Sequence, residues 1–346
     1  MTERRAAEVK SRTRIDLQSL LRVTELAEYV IPFTIRVICE LRVADHLAGG
    51  SLTVTELAER TRTHAPSLHR ALRALAHRGI FAAVEPGSYG LTPLSELLRT
   101  DHSLSLSGAF AMLPADVQAW AALDHTLRTG EPAFDHVHHL RYYDYLAARP
   151  DDSLRVDASV ESVNRLVLRT VARAYDWASI GTLVDVGGGN GSFLAGLLAR
   201  YKTMRGVLLD LPSVVAGAPR VLAAAGVTDR CDVVAGDFFH GVPAGADAYL
   251  LKTILHDWDD DTALRILRAA RAGMRPDSKL LVLEAIIPPG DAFDVGKLMD
   301  VHSLVLCAGP DRGAAEFDGL FARAQLARTG TFPTSNVLTI MEARAA

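Results

Sequence analysis

A chain of 346 residues is long enough for about two domains of ordinary size, each with a real core. Its residues are 49% hydrophobic and 23% charged, and 37 Lys and Arg against 41 Asp and Glu leave a net charge of −4. That balance excludes a general attraction to nucleic-acid backbones or anionic membranes. Three distant cysteines, Cys39, Cys231 and Cys307, exclude a disulfide framework and a paired-cysteine metal site. The charged opening MTERRAAEVK lacks the apolar stretch of a signal peptide, and no run of about 18 apolar residues follows, so a cytoplasmic, soluble protein is expected.

From Leu20 to Leu47 apolar residues recur at helical spacing, interrupted at Pro32, with little charge to cover them. Such helices need a partner. Thr53-Val54-Thr55-Glu56 is a capping pattern that opens a helix, and a turn at Thr63 to Pro66 leads to a second, Ser67 to Arg78, closed by Gly79. Two extended pieces, Ile80 to Val84 and Tyr89 to Thr92, flank the turn Glu85-Pro86-Gly87-Ser88. Helix, turn, helix and hairpin together read as a winged-helix unit. A DNA-reading role is disfavoured, because six Arg against four Glu between Leu52 and Thr100 give only +2, too sparse for phosphate binding. A dimerisation role suits this unit better.

Leu104 to Asp176 reads as mostly helical and gathers the aromatics Phe110, Trp120, Phe134, Tyr142, Tyr143 and Tyr145, as core or as lining for a flat ligand. His136, His138 and His139 stand close together but read as polar loop residues, and no metal is expected. After Trp177 short β-branched runs alternate with Ala/Leu-rich helices: Thr182 to Val186, Gly206 to Leu211, Cys231 to Ala235, Ala248 to Leu251, and Lys279 to Ile287. That alternation predicts a doubly wound α/β domain with a parallel sheet.

The first strand ends in Asp185-Val186-Gly187-Gly188-Gly189-Asn190-Gly191 and opens a helix. Gly187, Gly189 and Gly191 fit GxGxG rather than the dinucleotide pattern, whose third glycine falls on Ser192. Asp185, two residues earlier, repels a pyrophosphate but suits an ammonium, which points to S-adenosylmethionine rather than NAD. Asp210, within Leu209-Asp210-Leu211 at the next strand end, is placed to accept ribose hydroxyls. Asp237 and Phe238, at the third, offer an acceptor for the adenine amine and an aromatic face for its ring. Each acid alone also reads as a helix cap; three at consecutive strand ends argue for a cofactor cradle.

With Leu251-Lys252-Thr253-Ile254-Leu255-His256-Asp257-Trp258 after these motifs, the chain resembles the S-adenosylmethionine-dependent O-methyltransferases that act on plant phenylpropanoids and bacterial aromatic polyketides. The resemblance implies a Rossmann-like, class I methyltransferase sheet of seven strands, one antiparallel, with Asn336 to Glu342 as its last. It also implies a winged-helix dimerisation domain at 1–105, a helical region at 106–176 and a catalytic domain at 177–346. A homodimer and a small aromatic hydroxyl acceptor are the expected partners, with no nucleic acid and no membrane.

His256 follows the fourth strand, on the carboxyl edge where open α/β sheets place their sites, and is expected to be the general base. A phenol of pKa about 10 facing an imidazole of about 6.5 leaves a gap that a nearby carboxylate narrows. The resemblance maps two such acids onto Glu284 and onto Asp311, the latter one methylene shorter than the family's usual Glu. It places Lys252 beside the adenine. Leu211 is expected against the cofactor, and Asp257, His302 and Ser303 against the acceptor. Val156, Val160, Tyr143 and Ser303 replace residues that are commonly Phe, Met, Trp and Met in the family, which implies a bulkier or more oxygenated acceptor than a simple cinnamate-type phenol. Two other readings stand beside methyl transfer: a hydroxylase or cyclase built on the same fold, and a DNA-binding regulator.

Overall fold

The protein is described here by a computed structural model covering residues 16–110, 113–307, 309–310 and 312–346. It divides into two units, one up to Ser107 and one from Gly108 to Ala346.

In the first unit Asp16 caps α1 (Leu17–Ala27), accepting the N–H of Gln18 at 3.1 Å. Then come α2 (Val30–Glu40) and α3 (Val43–His46). No residue of α1 is buried, and Leu20, Leu21, Val23 and Leu26, with Tyr29 and Phe33 after them, are exposed. The strand β1 (Leu52–Thr53) leads into α4 (Val54–Thr61), whose capping box is formed: Glu56 accepts the Thr53 N–H at 2.8 Å and Thr53 the Glu56 N–H at 3.3 Å. Leu68, Leu72 and Leu75 of α5 (Ala65–His77) face the core, and Arg70 and Arg73 face solvent. The hairpin β2 (Phe81–Glu85) and β3 (Ser88–Leu91) turns at Gly87 and is joined by β1 in the order β1-β3-β2, a winged-helix arrangement; α6 (Pro93–Glu96) follows. Arg78, a basic residue of the would-be recognition helix, is paired with Glu25.

The second unit begins with α7 (Pro114–Ala121), α8 (Leu123–Thr129), α9 (Ala133–His138), α10 (Tyr142–Ala147) and the long α11 (Pro150–Ala174). Strands and helices then alternate: β4 (Thr182–Val186), α12 (Ser192–Arg200), β5 (Arg205–Asp210), α13 (Pro212–Val215), α14 (Ala218–Ala224), β6 (Cys231–Ala235), β7 (Ala248–Lys252), α15 (Asp260–Gly273) and β8 (Lys279–Ala285). The chain closes with α16 (Val295–Leu306), α17 (Ala314–Arg323), β9 (Leu326–Pro333) and β10 (Leu338–Ala345).

The sheet order is β6-β5-β4-β7-β8-β10-β9, with β10 antiparallel to both neighbours. Because side chains alternate across a strand, Leu183, Leu208, Leu250 and Leu281 bury against α11, α12 and α14 on one face. Val184, Leu209, Leu251 and Val282 bury against α15 and α17 on the other. The last strand lies two to three residues later than the motif implied, and β9 is the seventh strand, which the resemblance counted but no sequence motif located. A separate helical core gathers Leu113, Ala119, Phe134, Tyr145, Leu146 and Val305 from α7, α9, α10 and α16. Among the described residues no helix is long and apolar enough to cross a membrane.

Candidate active site

Strands β4, β5, β6, β7 and β8 run parallel, so their carboxyl ends bring the sequence motifs to one edge. The loop from Gly187 to Gly191 requires glycine at two points in particular. Gly187 has φ of +72°, and a Cβ there would lie 2.6 Å from Cδ1 of Ile254; Gly191 has φ of +79°, with Leu208 2.9 Å from the same position. At Gly189 that direction opens onto space. Asp210 ties this loop to the end of β5, accepting the N–H of Gly189 at 2.8 Å with Oδ2 and that of Leu211 at 2.7 Å with Oδ1. Each carboxylate oxygen retains a second lone pair for a ribose hydroxyl. Burial raises the Asp210 pKa, while the two backbone N–H donors oppose the rise.

Asp185 lies beneath the loop, 2% exposed, its carboxyl carbon 2.7 Å from where a Gly188 side chain would begin. Burial pushes its pKa up to about 7, against the pull of Lys252. Lys252 is partly buried, and desolvation of its ammonium lowers its pKa, while the carboxylates of Asp185 and Glu284 work in the opposite direction. A line of alternating charge, Asp185, Lys252 and Glu284, therefore runs under the edge across β4, β7 and β8. The Lys252 ammonium donates to Thr253 Oγ1 at 3.1 Å and lies 5.7 Å from the Phe193 ring centroid. Thr253 has φ of +51°, a costly conformation for a β-branched residue, and so turns the chain sharply after β7.

Asp237 caps the short turn Phe238–His240: Oδ1 accepts the Phe239 N–H at 2.8 Å and Oδ2 lies 3.2 Å from His240 Nδ1. The cap reading is thus realised at this acid, with Oδ2 keeping lone-pair capacity for a further donor. Phe238 borders the loop, its Cε1 3.5 Å from the Cβ position of Gly187, and packs with Phe239 and Trp258.

The turn that carries His256, Leu255–Asp257, is held from several sides. Glu284 Oε1 accepts the N–H groups of both Ile254 and Leu255 at 2.8 Å, so this buried acid, 1% exposed, fixes the turn's backbone. Arg312, 2% exposed, donates to the carbonyls of Leu255 and Trp258, each at 2.7 Å, and to Asp260 at 2.9 Å. Gly309 passes so close that a Cβ would lie 2.0 Å from the His256 carbonyl oxygen. His256 Nε2 stands 3.5 Å from Asp257 Oδ1, an ion-pair distance, and the Tyr143 hydroxyl donates to Asp257 Oδ2 at 2.7 Å. Asp311 lies outside the described residues.

His302 and Ser303 stand on α16. Trp120 Nε1 donates to His302 Nδ1 at 3.2 Å with the rings stacked at 6.0 Å, and Ser303 is buried. Val156 packs against the helical core and Val160 is exposed. The histidines of α9 have local partners: His136 stacks on His125 at 3.8 Å, and His138 Nε2 meets the Ala115 carbonyl at 3.0 Å. Among the described residues no three His, Cys, Asp or Glu side chains converge as a metal site would require. Arg312 and Gly309 were missed as site residues in the sequence, although they flank Asp311. A glycine and an arginine within four residues were the available signal.

Residues 24–101 match the O-methyltransferase dimerisation domain and residues 120–326 the O-methyltransferase domain. A phenazine O-methyltransferase of Lysobacter antibioticus is 38% identical over 331 residues, spanning 95% of this chain and 97% of its own. An aclacinomycin 10-hydroxylase of Streptomyces purpurascens is 35% identical over 322 residues, spanning 90% of this chain and 85% of its own. Among solved structures, an O-methyltransferase from neocarzinostatin biosynthesis, in complex with S-adenosylmethionine and 2-hydroxy-5-methyl naphthoic acid, gives a TM-score of 0.79 at 36% identity, covering 93% of this chain and 98% of that one.

Proposed function

Since the chain belongs to the O-methyltransferase family, with a dimerisation domain ahead of the catalytic one, we propose that it methylates a phenolic hydroxyl of a small aromatic natural product, with S-adenosylmethionine as donor and His256 as general base. The observation that supports this most is the contact between the two halves of the site. The glycine of the cradle, Gly187, lies against Ile254, two residues before His256, so donor loop and base are built on one another.

The cradle fits the donor: Asp210 offers acceptors to ribose hydroxyls, Asp185 offers a carboxylate to an ammonium, and Phe238 offers a ring face beside Gly187. S-adenosylmethionine supplies an electrophilic methyl group on a sulfonium, a good leaving group. The protein's share is alignment and proton removal. His256 takes the acceptor's proton, and the Asp257 carboxylate, 3.5 Å from Nε2, stabilises the imidazolium that results. Glu284 and Arg312 keep the turn in place from its N–H and carbonyl sides. Asp311 is assigned the second supporting acid on the family pattern, and Lys252 the neutralising charge between Asp185 and Glu284. Asp257, His302 and Ser303 line the acceptor's side, Leu211 the donor's. The exposed apolar residues of α1 and α2 are the surface of a homodimer. Three reduced thiols accord with a cytoplasmic location.

The test is incubation with methyl-labelled S-adenosylmethionine and a panel of phenolic aromatics. Label on an acceptor oxygen with release of S-adenosylhomocysteine is expected. Tight cofactor binding with no label on any acceptor would instead favour the hydroxylase reading, which the Streptomyces purpurascens relative keeps in view.

A further inference from the structure

The helix α10 takes its packing from the helical core, where Tyr145 and Leu146 lie buried with Phe134 and Val305. Tyr143, on the same helix, reaches elsewhere. Its hydroxyl donates to Asp257 Oδ2 at 2.7 Å, across 114 residues of chain. The other oxygen of that carboxylate is the one 3.5 Å from His256 Nε2. A single carboxylate therefore holds a phenol with one oxygen and faces the imidazole with the other.

The surroundings make this pairing selective. Tyr143 keeps about half of its surface exposed, while burial around its phenol, together with Asp257, holds the group well above its ordinary pKa. It is a donor throughout the neutral range. Cys307 and Tyr142 also bear on Tyr143, and burial raises both of their pKa values, so both are uncharged. Of these three neighbours Asp257 is the one that accepts the hydroxyl's hydrogen bond. Asp257 and His256 are adjacent in sequence on one short turn, and a carboxylate there has two side-chain torsions with which to swing away. A phenol anchored in another element narrows that freedom.

We propose that Tyr143 is a positioning residue that acts on His256 through Asp257, so that the seating of α10 is a condition of turnover. The proposal rests on the reading of His256 as the base. It differs from a plain tie between helix and turn, which would affect stability alone, and from a direct contact with the acceptor, which would act whether or not Asp257 is charged.

Tyr143→Phe keeps the ring and removes the hydroxyl, and Asp257→Asn removes the charge. The first is expected to lower kcat about tenfold with cofactor affinity and acceptor KM within roughly twofold of the parent. In the Asp257→Asn background the same change should alter kcat by less than about twofold, because its route to His256 is already cut. The His256 imidazole, followed by NMR titration, should shift its midpoint downward in both single variants, further in Asp257→Asn. An unmoved midpoint in Tyr143→Phe, or losses of kcat that multiply in the double variant, would overturn the proposal. The titration needs no turnover. If the parent protein methylates no hydroxyl the function reading fails by itself, and the midpoint still decides the role of Tyr143.

Discussion

The loop after β4 and the turn after β7 meet at Gly187 and Ile254, yet they keep their shapes by different means. The loop is mostly local: its positive-φ glycines lie within five residues, and its hydrogen bonds to another strand all run to the end of β5, where the Leu209 carbonyl accepts from Gly187 and Gly188 and Asp210 accepts from Gly189. The turn is assembled from afar, by Glu284 some thirty residues on, Arg312 and Gly309 more than fifty on, and Tyr143 more than a hundred before. The glycine loop is thus shaped largely by its own short segment, while the turn that carries His256 is held by residues drawn from the length of the unit. Damage to the two should differ in kind.

The largest effect that separates them is His256→Ala, expected to lower kcat by about a hundredfold or more while leaving cofactor affinity near that of the parent. Equal losses in both quantities would erase the distinction. Next is Arg312→Lys, which keeps the charge but loses the fork that grips two carbonyls and Asp260. A fall in kcat of about tenfold or more, again with cofactor affinity retained, is expected; calorimetric titration with the donor provides the check. Gly187→Ala reverses the pattern. A side chain at positive φ costs about 1–2 kcal/mol, so cofactor affinity should fall about tenfold. The new Cβ also pushes on Ile254, and a smaller loss of kcat should accompany it. Affinity unchanged in this variant would show that the cradle is not where the donor binds.

The smallest effect concerns Asp185. Its folded pKa, about 7, lies above the ordinary carboxylate value, so between the two the native state binds more protons than the unfolded state. Stability contributed at this position falls as pH rises through that window. An ammonium arriving above the carboxylate favours its ionised form, so donor binding at about pH 6 should release a proton. Calorimetry in buffers of different ionisation enthalpy would register that release, and its persistence in Asp185→Asn would assign it elsewhere.

The same division between local and distant explains what could be read from residues alone. Strands β4 and β6 stand where their β-branched runs place them, and the Thr53–Glu56 capping box forms as its spacing implies, because each depends on neighbours in the chain. Strand β9 was not legible: Gly330 and Pro333 interrupt a run in which only Thr329, Thr331 and Phe332 favour a strand, and its extended form follows from pairing with β10. Glu284 was visible as an acid at a strand end, but its hold on two backbone N–H groups was not, since a backbone partner leaves no mark in residue types. Arg312 stood in view beside Asp311, but its role did not: a buried guanidinium that serves carbonyls has no complementary acid pattern nearby, and Asp260 lies 52 residues away.

The helix α1 has a further consequence. It spans eleven residues, is capped by Asp16, is paired through Glu25 with Arg22 and with Arg78 of the same unit, and buries none of its residues. Isolated helices of that length are marginal in water, and in a region that matches a dimerisation domain the surface of a second chain is what would support this one. In a homodimer, folding of this arm would be a bimolecular event, and its order would report on concentration. Progressive dilution should register as a loss of helical circular dichroism while the sheet domain remains intact, which would make the arm a built-in gauge of how much protein is present.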